Sequence, residues 1–550
     1  MKKKVLSMFL TLVMLTMLLT ACSPKEKETD KNVENAKPTT EASKDDAEPA
    51  TDDKDDAKAE IDISEPVTLT WFLCGSDVSD DTAVLAKAND YLKEKLNVTL
   101  KPIWGSWDDF DATATNKAVL SILGGDDVDI YFTSAWTSNA YYEFAKKGSW
   151  VRLDDPENNL IEKYASDTWA LLPEVLTNGA VVQGAEGLGT YAVPGYKDIA
   201  TQNCWDVNVP LLEKYGYTLD DIKNTDYYGF GDIFAKVKAG EGDDFYPLLI
   251  EGAVLERMVT NSIMVTGDAS SNNILSYYIN PKDTAADGAY GNKILSKFET
   301  PEYKKFTEKT REYYLAGYID PAMGNADQAI PAREATQLTG KYLIGTQSYA
   351  LGYEDQATQE RGFKVAMVPC TPAYVDTTSS QGAMMAISTT CKNPERAMMF
   401  LDLLNTDPYL FTLLDYGIEG EHYELVNDGE VKFTDKRSDY KPWANGMGNI
   451  TQLPPLEDQG RDFWDNYKAY YGAAGEIPIL GWTFDSTDVN DQMGALANVA
   501  AEYALSLNTG SVNPDDALPK FIQKLKDNGI DNVVKEANKQ LDSFIEEKNK

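Results

Sequence analysis

The chain contains little histidine and little basic charge, and each shortage excludes a class of function. His422 is the one histidine among 550 residues, so a histidine-rich zinc site is excluded and any Ser-His-Asp or Cys-His triad would depend on it. It lies in the glycine-containing segment 417–423, which is typical of a loop and not of a nucleophile elbow. Lysine and arginine number 51 against 88 acidic residues, a net charge of −37. This charge excludes nucleic acid as a partner, because phosphates would be repelled.

Cysteine is also scarce, and the sequence lacks the common cofactor motifs. The five cysteines are scattered without a CxxC pair: Cys22, Cys74, Cys204, Cys370 and Cys391. The last four are predicted to be free thiols in a large folded body, with pairing in an oxidising exterior as the alternative. No GxxxxGK[ST] phosphate loop occurs, and the acidic segment 485–491 lacks the glycine and the distal glutamate of an EF-hand. We therefore expect no cofactor and no metal site.

One apolar run stands out, at the N-terminus, and it is too short to span a bilayer comfortably. Three lysines at 2–4 precede the apolar residues 5–19, and the run closes on Leu-Thr-Ala-Cys22. This pattern is typical of a bacterial lipobox, in which residues 1–21 are removed and Cys22 carries lipid such as palmitate. The sequence predicts a chain tethered by lipid at the outer face of the cell membrane. An ordinary signal peptide or a single anchoring helix is the alternative.

The following segment, 22–65, predicts a disordered tether. It consists mainly of Lys, Glu, Asp, Ala, Thr and Pro, and so cannot bury enough apolar surface to offset the entropy of ordering. Mixed charge and several prolines would keep it extended.

From residue 66 the pattern changes to alternating strands and helices. Apolar strands are predicted at 67–74, 98–103 and 128–132, with helices at 81–96 and 113–123 between them. A strand–helix–strand alternation predicts an α/β fold with a parallel sheet, whose ligands lie at the carboxyl ends of the strands. Trp136 follows such an end, among polar side chains. A second alternation begins after residue 190, and strand character resumes at 342–346, so a second α/β unit is expected inside the first.

Aromatic residues are numerous, with ten tryptophans and 31 tyrosines, and several lie in polar, turn-rich segments. Sugar rings present C–H faces that stack on indole and phenol, while their hydroxyls bond to carboxylates and amides, so this combination favours a carbohydrate ligand. An anionic ligand would require a cluster of Arg or Lys, and none is visible along the sequence. Local chemistry indicates five candidate ligand-binding residues: Trp104, Trp205, Tyr349, Trp443 and Trp482.

An enzyme of this composition would need a pair of carboxylates, as in glycoside hydrolysis. No individual carboxylate stands out among the 88 acidic residues. We therefore predict that the chain is not an enzyme and performs no covalent chemistry.

Four segments taken in order resemble a known family. They are 124–136 (GGDDVDIYFTSAW), the Gly340-Lys341 turn, 393–407 (NPERAMMFLDLLNTD) and 417–423 (GIEGEHY). Together with the lipobox they are similar to the family 1 extracellular solute-binding lipoproteins of bacterial ABC importers, in the LplA/LipO-like branch. The C-terminal portion of that branch is often catalogued as an uncharacterised domain.

The resemblance implies a two-lobe, periplasmic-binding-protein-like (type II) α/β fold with a ligand cleft between the lobes. Lobe 1 is expected at 66–197 and 341–405, and lobe 2 at 198–340 and 406–550. The crossover segments are expected at 195–208, 341–347 and 405–416, with closure by hinge bending. The family places ligand contacts at positions that match Trp136 and Asp77.

The resemblance also implies the partners. The chain is expected to be a monomer that captures a carbohydrate, with an oligosaccharide favoured, and to deliver it to separate permease subunits of an ABC transporter. Contact with the membrane would be through the lipid anchor only. A peptide-binding or signalling lipoprotein and a secreted glycoside hydrolase remain as alternatives.

Overall fold

The computed structural model describes residues 62–110, 116–268, 273–427, 429–457 and 459–548. The predicted leader 1–21, the lipidated Cys22 and the tether up to residue 61 lie outside the described residues. Within these ranges, none of the helices combines the length and the apolar character that a membrane crossing requires. The described residues belong to one unit of the chain, 60–550, which contains two main sheets, several smaller ones and two large apolar cores.

The first sheet is built from the predicted strand–helix–strand alternation. In spatial order its strands are Val98–Trp104, Val67–Leu73, Ile130–Thr133, Met384–Ile387 and Val193–Pro194. The first three run parallel, and Met384–Ile387 pairs antiparallel with both of its neighbours, so that Val193–Pro194 again runs in the direction of the first three. The helix Thr82–Leu96 covers this sheet because Val84, Ala88, Leu92 and Leu96 recur every four residues and form one buried face. The predicted α/β architecture of this lobe is confirmed.

Lobe 1 is completed by helices from three parts of the chain. Its helices are Thr82–Leu96, Lys117–Gly124, Tyr141–Lys146, Leu160–Tyr164, Ser166–Leu171, Glu174–Gly179, Thr377–Ser380, Pro394–Thr406, Pro408–Asp415 and Phe463–Gly472. Two hairpins are added at its surface, Val181–Gly184 with Gly187–Thr190 and Tyr423–Val426 with Glu430–Phe433.

The second sheet has the order Val365–Pro369, Asn203–Asn208, Ile344–Ser348 and Leu248–Leu249. Asn203–Asn208 is buried along its whole length and pairs antiparallel with both neighbours. Smaller strands at Ser262–Met264, Leu275–Tyr278 and Leu295–Ser296 form a separate antiparallel sheet in this lobe. The helices of lobe 2 are Val209–Lys214, Leu219–Lys223, Gly231–Glu241, Gly252–Thr260, Pro301–Leu315, Ala326–Thr339, Tyr353–Arg361, Asn490–Asn508, Pro514–Asp527 and Ile530–Lys548.

The lobe boundaries differ from those expected from the sequence. The strands Ile344–Ser348 and Val365–Pro369, expected in lobe 1, pair on both sides of Asn203–Asn208 and so belong to lobe 2. Conversely, apolar residues between positions 410 and 471 pack in the core of lobe 1, although they were expected in lobe 2. The reason is that both placements depend on long-range pairing, which local patterns do not encode.

Three crossover segments lie side by side between the lobes. Thr201 and Tyr374 exchange backbone hydrogen bonds of 2.7 and 3.0 Å, and Tyr374–Val375 pairs parallel with Gly475–Glu476. The first crossover lies inside the predicted segment 195–208. The other two lie near 374 and 475 instead of at 341–347 and 405–416, because the predicted segments belong to the lobes themselves through long-range pairing and packing. Three adjacent extended segments between two separately packed cores form a hinge.

The four described cysteines are free thiols. Cys74 and Cys204 are buried, where desolvation raises the pKa of each thiol. The thiol of Cys204 contacts the sulfur of Met367 at 3.7 Å. Cys74 and Cys204 therefore act as small apolar side chains, as the sequence predicted, whereas Cys370 is exposed and Cys391 is half-buried.

Candidate ligand cleft between the lobes

A cavity of about 430 Å³ lies between the lobes and is lined by both lobes and by the crossover segments. Lobe 1 contributes Trp136, Lys197, Asp198, Ser379 and Gly382; the crossovers contribute 200–203, Tyr374 and Asp376; lobe 2 contributes Glu251, Val254, Arg257, Met264, Arg333 and 346–349. A volume of this size is in the range of small-molecule sites. Because its walls belong to two bodies joined by a hinge, a ligand in it would touch both lobes.

Three tryptophans of lobe 1 contact one another beside this cleft, and we call them the tryptophan cluster: Trp107, Trp136 and Trp443. Trp136 lines the cavity, and the other two pack against it. The ring centroids of Trp107 and Trp443 are 4.8 Å apart, and those of Trp136 lie 6.3 and 6.2 Å from them. Trp107 and Trp136 are 49% and 41% exposed. Large aromatic faces held open to solvent at a cavity edge are suited to stacking on an apolar ligand face.

Hydrogen bonds fix the orientation of Trp136. The strand Ile130–Thr133 ends just before it, and the hydroxyl of Ser134 accepts hydrogen bonds from the backbone N–H groups of Trp136 and Thr137 at 3.2 and 3.1 Å. The indole Nε1 donates to the carbonyl of Gly382 at 2.8 Å. The ring is therefore held in position before any ligand arrives, which reduces the entropy lost on binding.

Two glycines permit the tryptophans to approach the backbone. A Cβ atom at Gly75 would lie 2.5 Å from the Trp107 ring, and one at Gly446 would lie 2.4 Å from the Trp443 ring. Gly75 also has φ of +66°, a left-handed conformation that favours glycine. The turn after the first strand therefore determines where Trp107 lies.

We expect Gly75→Ala to displace the Trp107 ring and weaken ligand binding by about three- to tenfold, equivalent to roughly 1 kcal/mol. Binding calorimetry measures the loss, and the tryptophan emission maximum reports the ring movement. Gly125→Ala is the matched control, because Gly125 also has positive φ but a Cβ there would meet no atom within 4 Å. Equal binding by the two variants would show that the position of Trp107 is unimportant.

Charged and polar groups from both lobes and from the crossovers also line the cleft. Lys197 pairs with Asp198 at 2.8 Å, and Arg333 forms an ion pair with Glu251. Burial raises the pKa of Asp376 to about 6, while its hydrogen bond from Ser379 acts in the opposite direction. The cleft therefore offers both donors and acceptors to hydroxyl groups.

A tyrosine pair, Tyr349 and Tyr470, also lies at the cleft, and Tyr349 lines it. The rings of Tyr349 and Tyr470 are 5.6 Å apart, and the hydroxyl of Tyr470 donates to the side-chain oxygen of Gln202. The amide of Gln202 in turn donates to the carbonyl of Thr371 at 2.8 Å. Burial raises the pKa of the Tyr349 phenol, so this ring is neutral at physiological pH.

The sequence-predicted site residues divide into three groups. Trp136 and Tyr349 line the cleft, and Trp443 adjoins Trp136. Asp77 and Trp104 lie elsewhere in lobe 1. Asp77 is exposed in a short strand paired with Lys441, and Trp104 donates to Asp81 at 2.7 Å and packs on Tyr440.

Trp205 and Trp482 were predicted to bind the ligand, but the structure places both in the core of lobe 2. Trp205 is only 4% exposed and packs between Tyr227 and Phe230 in the core of lobe 2. Trp482 is 5% exposed and packs near Phe484. The polar neighbour of Trp205, Asp206, points to the other face of the sheet, because successive side chains of a strand alternate in direction.

Sequence reasoning missed Trp107 and the three cations of the cleft, Lys197, Arg257 and Arg333. Trp107 belongs to the same polar, turn-rich segment as Trp104, so the signal for a site was present but was assigned to the wrong tryptophan. The cations come from segments far apart in sequence, and no local pattern unites them. Within the described ranges, no three His, Cys, Asp or Glu side chains converge as metal ligands would.

The sequence is similar to that of a known transport protein. The chain is 25% identical over 499 residues to a carbohydrate ABC transporter substrate-binding protein of Streptococcus pneumoniae serotype 4 (strain ATCC BAA-334 / TIGR4), covering 90% of this chain and 94% of that one. The model for the domain of unknown function DUF3502 matches residues 478–546.

Solved structures share the two-lobe architecture. The N-glycan transport solute-binding protein NgtS of S. pneumoniae, in complex with Man5GlcNAc, is 26% identical with a TM-score of 0.70. That match covers 88% of this chain and 99% of that chain. The S. pneumoniae ABC-transporter substrate-binding protein FusA, in complex with kestose, has a TM-score of 0.56 at 15% identity, over 88% of this chain and all of that one, and so supports the fold alone. The predicted two-lobe solute-binding fold is confirmed.

Proposed function

We propose that this chain, a family 1 extracellular solute-binding protein of the kind that serves bacterial ABC importers, captures an oligosaccharide in its interlobe cleft. The tryptophan cluster is the observation that carries the proposal. Three indoles of lobe 1 beside the cleft supply stacking faces for sugar rings, and polar side chains of the cleft lining supply partners for hydroxyls. Carbohydrate binding by NgtS, which has the same two-lobe fold, supports this assignment.

The mechanism follows from the position of the cleft. A sugar that stacks on Trp136 in lobe 1 while it bonds to groups of lobe 2 favours the closed form, because only that form makes both sets of contacts. The crossovers beside Thr201 and Tyr374 allow the lobes to rotate without unpacking either core. Separate permease subunits would then recognise the closed shape and accept the ligand.

The remaining features complete the proposal. Lipid on Cys22 would hold the chain at the outer face of the cell membrane, and the predicted tether 22–65 would separate the folded body from the bilayer. We infer a monomer that performs no covalent chemistry on its ligand. The relatives found by comparison are transport proteins, which is consistent with this inference.

The melting temperature of the full chain tests the proposal against oligosaccharides, monosaccharides and peptides. A ligand at a thousand times its dissociation constant adds about 4 kcal/mol to the free energy of unfolding, which raises the melting temperature measurably. We expect a rise with one class of oligosaccharide, which is recovered intact. A rise with peptides alone, or recovery of a shortened sugar, would refute the proposal in favour of a peptide receptor or a hydrolase.

A further inference from the structure

Arg257 is an unusual cation in the cleft because no described residue forms a hydrogen bond or an ion pair with its side chain. It lies on the helix Gly252–Thr260, one turn after Val254, and both side chains line the cavity. Its side chain is half-buried. Among the described residues, none accepts a hydrogen bond from its guanidinium or forms an ion pair with it. A guanidinium carries five N–H donors, and removing them from water without acceptors is unfavourable.

The acidic groups that line the same cleft form their hydrogen bonds and ion pairs with other residues. The positive charge of Arg257 opposes the burial that raises the pKa of the Asp376 carboxyl. No hydrogen bond or ion pair joins the two groups, however, because the carboxylate accepts the Ser379 N–H at 2.6 Å and caps the short helix that follows. Glu251 is occupied by Arg333. The Nε atom of Arg333 is itself buried, and no described residue accepts its hydrogen bond. Two guanidinium groups in one cleft therefore retain donors for a ligand.

The charge of the cleft also departs from that of the chain. Its lining includes three cations, Lys197, Arg257 and Arg333, and three acids, Asp198, Glu251 and Asp376. The whole chain has 51 lysines and arginines against 88 acidic residues. Basic residues are thus enriched where the ligand binds, in a protein whose surface would otherwise repel anions.

We propose that Arg257 receives a carboxylate carried by an acidic sugar residue of the ligand. This inference rests on the proposed carbohydrate function and narrows it to oligosaccharides that contain a uronic or sialic acid unit. The planar fork of a guanidinium matches the two oxygens of a carboxylate, and a charge-assisted pair of this kind is stronger than a bond to a neutral hydroxyl. Arg257 sets specificity, while the tryptophan cluster supplies stacking.

The test uses matched pairs of ligands and the full chain. Oligosaccharides ending in glucuronic acid or in sialic acid are compared by calorimetry with their carboxyl-reduced counterparts, which differ only in the lost carboxylate. We expect one acidic sugar to bind at least about tenfold more tightly than its reduced form. The preference should decline as salt concentration rises, because the pair is partly exposed.

Substitutions then assign the preference to one residue. Arg257→Gln should weaken binding of the acidic sugar by about ten- to a hundredfold and change binding of the reduced sugar by less than about threefold. Arg257→Lys keeps the charge but loses the fork, and should retain part of the preference. Lys223→Gln, which removes an exposed cation outside the cleft, should change neither affinity.

The outcomes separate this inference from the proposed function. Equal affinity for both members of each pair, or an equal loss for both in Arg257→Gln, overturns the role of Arg257 while carbohydrate binding stands. Binding of neutral oligosaccharides with no binding of acidic ones also overturns it. If no sugar of either kind binds or raises the melting temperature, the proposed function fails as well.

Discussion

Replacement of Trp136 by alanine is expected to weaken oligosaccharide binding by about thirtyfold or more, because a central aromatic in a binding site contributes roughly 2 kcal/mol or more. Its indole is 41% exposed, lies at the cleft edge and contacts both other rings of the cluster. The free energy of unfolding should fall by no more than about 1 kcal/mol, since the ring is not part of the closed core. Calorimetry and urea denaturation measure the two effects separately.

Tyr409→Ala provides the matched control for Trp136→Ala. Tyr409 is a 54% exposed aromatic of lobe 1 that packs on Tyr91 and does not line the cleft. Its loss should leave affinity within about twofold of the wild type, as expected for a surface side chain away from the site. Trp136→Phe should recover most of the binding. If Trp136→Ala and Tyr409→Ala bound the ligand equally well, stacking on the cluster could not be the source of affinity.

The strands and helices near the N-terminal end of lobe 1 were predictable because their signals are local. The strand Val67–Leu73 combines apolar residues with an adjoining turn, and the helix Thr82–Leu96 repeats its apolar residues at four-residue spacing. Both patterns follow from the geometry of one element against one core. Trp136 could be predicted for the same reason, since a residue just beyond a parallel strand lies at the ligand edge of the sheet.

The lobe boundaries could not be predicted in this way. Ile344–Ser348 reads as a strand from its own residues, but its lobe is decided by pairing with Asn203–Asn208, about 140 residues earlier in the chain. Strand propensity specifies an extended conformation and does not specify the partner. The crossovers moved with the boundaries, so the hinge lies at Tyr374 and Gly475 instead of at the expected segments.

The tryptophans show that local sequence does not determine the surroundings of single side chains either. Trp205 and Trp107 both have polar sequence neighbours, yet Trp205 is packed between core aromatics and Trp107 is 49% exposed. What separates them is the partner that reaches each ring from elsewhere in the chain. The cations of the cleft are an extreme case, because Lys197, Arg257 and Arg333 line one cavity only after both lobes have formed.

The second large effect is expected for the buried ion pair of lobe 2. Lys297 and Glu256 lie 3.1 Å apart with side-chain exposures of 2% and 0%. Lys297→Met leaves the carboxylate buried without its cation and should lower the free energy of unfolding by about 3–5 kcal/mol. The hydroxyls of Thr260 and Ser262, which donate to the other oxygen of Glu256 at 2.9 and 3.0 Å, cannot replace the lost charge. Urea denaturation measures the change.

A surface pair supplies the control for this prediction. Lys392 and Asp127 lie at the same distance, 3.1 Å, but are 76% and 79% exposed. Lys392→Met should therefore cost less than about 0.5 kcal/mol. Adding Glu256→Gln to Lys297→Met should recover part of the lost stability, because the stranded charge is then removed. Equal losses for the two lysines would show that burial of the pair does not matter.

The affinity of folded Lys297→Met for its ligand should stay within about twofold of the wild type, since neither member of the pair lines the cleft. Stability and ligand recognition in lobe 2 thus depend on different charges: the paired Lys297 holds the core, and the unpaired Arg257 is left for the ligand.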